Sequence, residues 1–371
     1  MTRKSVSVGV AAVAAALVAS GLVAGSAPAS ADPPGKIGGY SAEIRRASYG
    51  VPHITAANFA SLGFGVGHVQ AEDNICVIAE KVVTVNAQRA RYFGATGAAD
   101  PNVRSDLFFQ KAIDDRAAER LLAGTPDGVH APSRDVRDLI RGFVAGYNNY
   151  LRHTGVANLT DPKCVGQPWV REISELDAWR TVWASMVRAS SRALLDGIVA
   201  AAPPAAATGS TLSAAPGAAA VVAAADGAPA GVGSNAYGLG REATANGTGM
   251  VLANPHFPWD GPERFYRMHL KIPGKYDVEG AALIGDPLVE IGHNATIAWS
   301  HTVSTARRFV WHRLTLVPGD PTSYLYDGEP RKMSTRTVTV QVPSPSGGTV
   351  PVTRTFYDTH FGPVVVVPGT F

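Results

Sequence analysis

The sequence predicts an α+β protein, and three observations carry that prediction. From Tyr40 to about Ile198, a short β pair gives way to apolar residues spaced for helices. Residues 199–233 are mostly Ala, Pro, Gly, Ser and Thr with a few Val, and their single charge is Asp226. That composition has no stable periodicity and reads as a loose, exposed spacer. Beyond it the chain becomes a series of short β-like runs punctuated by Gly, Pro, Asn and Asp. The 371 residues are 46% apolar and 17% charged, which excludes a disordered or fibrous chain and suffices for a sizeable core.

The first 31 residues read as a secretory leader. Arg3 and Lys4 supply the positive start, an Ala/Val/Leu/Gly run extends from Val6 to about Gly25, and Ala29-Ser30-Ala31 provides small residues for cleavage before Asp32. An uncleaved anchor is the competing reading, because the run approaches the ~20 residues that span a bilayer. The Pro28 break and the Ala-x-Ala site favour removal and a secreted product. Without Arg3 and Lys4 the cations nearly balance the 30 carboxylates. No basic domain remains, so neither nucleic acid nor, after leader removal, a membrane is expected as a partner. Cys76 and Cys164 enter an oxidising compartment, where one disulfide and two buried free thiols both remain open.

Ala42–Arg46 and Pro52–Thr55 look like strands around a Tyr49-Gly50 turn. Leu62 to Phe93 mixes Val69, Ile75, Ile78, Val82 and Val83 with Glu72, Asp73, Glu80 and Lys81, a spacing for one long helix or two, ended by Gly94. Within it Gly63-Phe-Gly65-Val-Gly67 is not a dinucleotide fingerprint, and close packing at a helix start explains it better. Further helical patterns cover about 114–123, 133–153 and 174–198. Strand-like runs follow at Asn235–Leu239, Met250–Ala253, Phe265–Ile272, Ala281–Ile284, Ile297–Ser300, Phe309–Leu316, Thr337–Val342 and Val350–Phe356.

Common catalytic signatures are missing: no HExxH, no phosphate-binding GxxxxGK[ST], no GxSxG elbow and no carboxylate pair marked by spacing. No metal and no cofactor is expected. His130, His153 and His312 read as structural, whereas His256 in Asn254-Pro255-His256-Phe257 lies in a turn after a strand, where chemistry is often placed.

The junction Gly231-Val232-Gly233-Ser234-Asn235-Ala236 is the most informative point. There the spacer ends and a strand begins. A serine hydroxyl can attack the preceding carbonyl, and the resulting ester is open to water. Gly233 offers little steric hindrance to that step. Once freed, Ser234 would own an α-amine of pKa about 7.7–8.0, low enough to serve as its own general base. The bland alternative is a linker that merely ends in Gly-x-Gly-Ser.

Five stretches decide between these readings: Ile44-Arg45-Arg46 through Tyr49-Gly50-Val51-Pro52-His53-Ile54; Gly63 through His68, Gln70 and Glu72-Asp73-Asn74; Gly233-Ser234-Asn235-Ala236-Tyr237; Asn254-Pro255-His256; and Gly292-His293-Asn294 through Ile297-Ala298-Trp299-Ser300-His301-Thr302-Val303. In this order they resemble the penicillin acylase family of N-terminal-nucleophile (Ntn) hydrolases, and especially a secreted actinobacterial branch that overlaps with acyl-homoserine-lactone acylases. The resemblance implies an αββα sandwich, with a helix-rich α chain (32–200), a discarded spacer (201–233) and a strand-rich β chain starting at Ser234. It makes Ser234 the nucleophile for both self-processing after Gly233 and catalysis. His256 would stand around the serine amine, and Val303 would aim its backbone N–H into the oxyanion hole. Phe257, Phe265 and Thr302 would bind the acyl group, with core packing as the alternative for the two aromatic rings.

The implied reaction is hydrolysis of the acyl side-chain amide of a lipopeptide, an N-acyl homoserine lactone or a penicillin V-type substrate. The partners implied are that small molecule and the two chains of one precursor as a heterodimer. A non-catalytic secreted binding module, or an inactive acylase fragment, is the alternative. The family's second oxyanion donor, an asparagine, has no match by residue 371, so the sequence reads as the front part of a longer precursor. The calcium site of benzyl-type relatives is not expected, because Ala306-Arg307-Arg308-Phe309-Val310 offers no carboxylate.

Overall fold

In the computed structural model the described residues are 31–37, 39–124, 130–203, 233–303, 310–344 and 346–366. The expected leader and spacer fall almost wholly outside them, as do residues 304–309.

The α+β class holds. Strands β1 (Ala31–Ile37), β2 (Tyr40–Arg46) and β3 (Pro52–Ala56) precede helices α1 (Phe59–Val85), α2 (Arg89–Phe93), α3 (Pro101–Asp114), α4 (Ala117–Ala123), α5 (Arg134–Thr154), α6 (Glu175–Met186) and α7 (Leu195–Ala200). The remainder is β: β4 (Gly233–Leu239), β5 (Met250–His256), β6 (Phe265–Ile272), β7 (Tyr276–Leu283), β8 (Ile291–His293), β9 (Ala298–Trp299), β10 (Leu316–Val317), β11 (Asp320–Tyr326), β12 (Glu329–Lys332), β13 (Ser334–Pro343), β14 (Thr349–Thr359) and β15 (Gly362–Pro363).

One sheet runs β1-β2-β3-β6-β7-β8-β9. Its single parallel junction, β3 with β6, joins the segment before the spacer to the segment after it. Alternation explains the sheet's two faces. Ile54, Met268, Leu270 and Ile272 are buried against α1, while Arg267, His269 and Lys271 point away. Smaller sheets are β10-β11-β12 and β13-β14-β15, the latter packed on α3. Strands β4 and β5 form a separate ribbon, with β5 touching β9. Of the implied four-layer sandwich, the described residues hold a helical layer and the seven-stranded sheet, with that ribbon beside it.

Helix α1 starts where the Asn58 side chain accepts the Ser61 N–H at 2.9 Å. Its glycines explain how closely it meets α5. A methyl on Gly63 would lie 2.0 Å from the Leu139 carbonyl oxygen, and one on Gly67 would lie 2.0 Å from that of Phe143. Gly142 and Gly146 of α5 are equally tight against the α1 backbone. The two helices thus cross backbone to backbone, the close packing expected of the glycine run. Cys76 of α1 is joined to Cys164 by a disulfide, settling the cysteine alternatives.

Several expected boundaries need correction. Helix α3 lay unpredicted before residue 114. The single helix expected over 174–198 stops at Met186 and restarts as a 3-10 turn at Ser191–Leu194 followed by α7. The strand expected at Phe309–Leu316 forms only from Leu316, because residues 310–314 pair with no strand among the described residues and Thr315 offers β11 only its carbonyl, to the Leu325 N–H. Strand β7 begins at Tyr276, well before Ala281.

Candidate active site

The ribbon places Ser234 two residues into the described part that follows the spacer. An Asn246-Gly247 corner closes it, with Gly247 at φ 65° and its N–H donating to the Thr244 carbonyl at 3.2 Å. The register pairs Gly233 with His256, Ser234 with Pro255 and Asn235 with Asn254. His256 therefore stands directly across from the junction.

The Ser234 hydroxyl donates to the Gly233 carbonyl oxygen at 2.5 Å, so Oγ lies beside the carbonyl of the preceding peptide bond. A Cβ on Gly233 would sit 3.1 Å from His256 Nδ1. The Asn254 side-chain amide donates to His256 Nε2 at 3.1 Å, while Nδ1 faces Gly233. Ser234 is half-buried, and His256 is exposed on the ribbon.

Beyond His256 the chain turns into an aromatic pair. The rings of Phe257 and Phe265 lie 5.0 Å apart, and the Arg188 guanidinium sits 4.8 Å from the Phe257 centroid. Arg188 in turn pairs with Glu263 at 2.7 Å. Thr302 is exposed and Val303 half-buried, a few residues past β9. Among the described residues no hydrogen bond joins either to Ser234. The structure thus brings together Gly233, Ser234 and His256, and separately Phe257 and Phe265.

Around the site the segments before and after the spacer are tied by polar contacts. Gln70 is fully buried on α1, donates to the Asp286 carbonyl at 3.0 Å and accepts the Gly285 N–H at 2.7 Å. Tyr266 donates to Asp73 at 2.5 Å, and Arg264 to Asn74 at 3.1 Å. Asp73 and Glu72 also grip Arg46. Burial works against that guanidinium, but the two carboxylates hold its pKa above the ordinary value. Burial and Asp73 together push the Tyr266 phenol up.

The sequence alone does not mark Asn254 or Arg188. Asn254 stands within a motif that marks His256, and Arg188, in the turn after α6, looks like ordinary surface charge.

A glycine-serine junction thus stands at the head of a two-stranded ribbon, faced by a histidine. The chain matches the family model described as penicillin amidase over residues 41–369 and belongs to that family. It is similar to aculeacin-A acylase of Actinoplanes utahensis, 69% identical over 334 residues that cover 90% of this chain and 42% of that protein. It is also similar to the acyl-homoserine lactone acylase PvdQ of Pseudomonas syringae pv. syringae, 45% identical over 333 residues, 88% of this chain and 42% of that one. Among solved structures, a thermostable penicillin G acylase from Alcaligenes faecalis aligns with TM-score 0.34 and 27% identity, covering 41% of this chain and 75% of that chain. The chain spans about two fifths of the length of these curated relatives.

Proposed function

We propose that this chain is the front part of a secreted, self-processing acylase that hydrolyses the acyl side-chain amide of a lipopeptide, an N-acyl homoserine lactone or a penicillin V-type compound. The carrying observation is the Ser234 hydroxyl 2.5 Å from the Gly233 carbonyl oxygen, with His256 opposite. Processing begins when Oγ attacks the Gly233 carbonyl carbon. The Gly233–Ser234 C–N bond breaks as the C–O ester forms, and the serine nitrogen gains the hydroxyl proton. Water then hydrolyses the ester, releasing a Gly233 carboxylate and a free Ser234.

In turnover the α-amine takes the Oγ proton while Oγ attacks the substrate amide. The tetrahedral oxyanion meets the Val303 N–H. Removing one such donor typically costs about 2.7–4 kcal/mol of barrier. Collapse passes the proton to the leaving amine and leaves an acyl-serine ester. Water attacks that ester, and a free acid departs. His256, held by Asn254, orients the amine. Phe257 and Phe265 offer the acyl chain an apolar wall worth about 0.8 kcal/mol per buried CH₂, so chain length weighs more than the amine portion. The similarity to aculeacin-A acylase and to acyl-homoserine lactone acylases supports an acyl amide as the substrate.

The test is Ser234→Ala in the full-length protein. Loss of both chain cleavage and amide hydrolysis is expected; sustained turnover in that variant refutes the nucleophile. A panel of homoserine lactones differing only in acyl length then identifies the preferred substrate.

A further inference from the structure

A cavity of about 210 Å³ lies between α1, α3, α6, α7 and the loop ahead of β6. Neither Ser234 nor His256 lines it. Its wall carries four cations. Two have carboxylate partners: Arg89 with Glu80 at 3.0 Å, and Arg188 with Glu263 at 2.7 Å. The other two have none within ion-pair distance among the described residues. The Lys81 ammonium donates to the Ile284 backbone carbonyl. The Arg192 guanidinium has no side-chain hydrogen bond among the described residues, although it is half-buried. Burial lowers the pKa of both groups and outweighs the carboxylates in range, Asp286, Glu290 and Glu263 for Lys81 and Glu263 for Arg192, none of which forms an ion pair with either cation. Val85, Phe109 and Leu195 supply apolar wall beside them.

We propose that this cavity binds an aliphatic carboxylate, its headgroup on Arg192 and Lys81 and its chain against Val85, Phe109 and Leu195. A guanidinium deprived of water gains most from a charge-assisted hydrogen bond to an anion. The apolar wall favours an amphiphile over inorganic phosphate, and the volume, below that of drug-sized pockets, suits a short chain. Amide hydrolysis at Ser234 would release such an acid. Arg188 lines the cavity and also stacks on Phe257, next to His256, so an acid held there lies one side chain from the reacting site. The acid's origin in turnover rests on the function proposed above; the binding does not.

The experiment titrates octanoate into the full-length protein by calorimetry, with octan-1-ol and inorganic phosphate as controls. One octanoate site is expected, roughly tenfold weaker in Arg192→Met and retained in Arg192→Lys, as loss of one charge-assisted bond predicts. Each control should bind at least about tenfold more weakly than octanoate, a difference near 1.4 kcal/mol. Should Arg192→Met fail to fold, Phe109→Trp fills the cavity with its charges intact and should weaken binding as well. Equal binding of octan-1-ol or of phosphate overturns the proposal, as does undiminished octanoate binding in Arg192→Met or Phe109→Trp. A second arm measures initial rates of acyl-amide hydrolysis with added octanoate. Wild type should lose kcat at constant KM, and Arg192→Met should not. Octanoate binding without any amide hydrolysis would leave the site standing and refute only the acid's source.

Discussion

His256 Nδ1 stands 3.1 Å from the point where a side chain on Gly233 would begin. Strand pairing fixes that approach, since Gly233 and His256 face each other across the ribbon. A methyl there presses on the imidazole while the Gly233–Ser234 bond is intact. Once the bond is cut, residue 233 belongs to the spacer. Gly233→Ala is therefore expected to slow maturation by about tenfold, equivalent to some 1.4 kcal/mol of barrier. The matured enzyme should keep its wild-type kcat. Densitometry of precursor and product over time, with kcat measured on the purified product, checks both halves.

The crossing of α1 and α5 makes a different prediction. A methyl on Gly63 has only backbone to push against, the Leu139 carbonyl oxygen at 2.0 Å and the Phe143 nitrogen at 3.0 Å. Gly63→Ala should lower stability by about 3 kcal/mol, the upper end of overpacking costs, because main chain cannot rotate out of the way. Gly166, at φ 69° with open space around it, should tolerate alanine better, paying only for its backbone angle. Chemical denaturation of the two variants compares them.

Gln70 bridges the segments on either side of the spacer through its buried amide. Gln70→Leu leaves the Gly285 N–H and the Asp286 carbonyl without that partner. Each orphaned group costs about 1–3 kcal/mol. The variant should release the two chains of the processed protein at lower urea than wild type does, read by size exclusion.

Much of this was legible in the residues. Strict alternation over Phe265–Ile272 gave β6 its true limits, and Tyr49-Gly50 marked the β2–β3 corner, where Tyr49 takes φ 64°. Helix α3 carried a readable start, Asp100 capping Asn102 with Pro101 in the first turn, but its apolar residues cluster at Leu107, Phe108 and Phe109 instead of recurring. The run at 310–314 has strand-like composition but pairs with no strand among the described residues, and only pairing makes a strand. The Gly233-Ser234 junction was visible as a change of texture. The cation-lined cavity was not, because it forms only when four helices and the loop ahead of β6, far apart in the chain, converge.

Glu290 supplies a pH dependence. Burial first, then its hydrogen bond and repulsion with Asp286, push this carboxyl up to about 8. Such a group is protonated in the folded state while its unfolded counterpart, near 4.5, is already ionised. The folded state then binds more protons across that window, so stability falls as pH rises from about 5 to about 8. Thermal melting should give a lower Tm at pH 8 than at pH 6, and Glu290→Gln should flatten the difference. An unchanged slope in that variant would assign the effect elsewhere.

The central claim is that one residue supplies both the attacking oxygen and the amine that activates it. N-terminal sequencing of the larger chain of the matured, full-length protein tests this most directly. The account predicts Ser-Asn-Ala-Tyr, starting at Ser234. A chain that begins at any other residue, or an active enzyme with the Gly233–Ser234 bond intact, would contradict it.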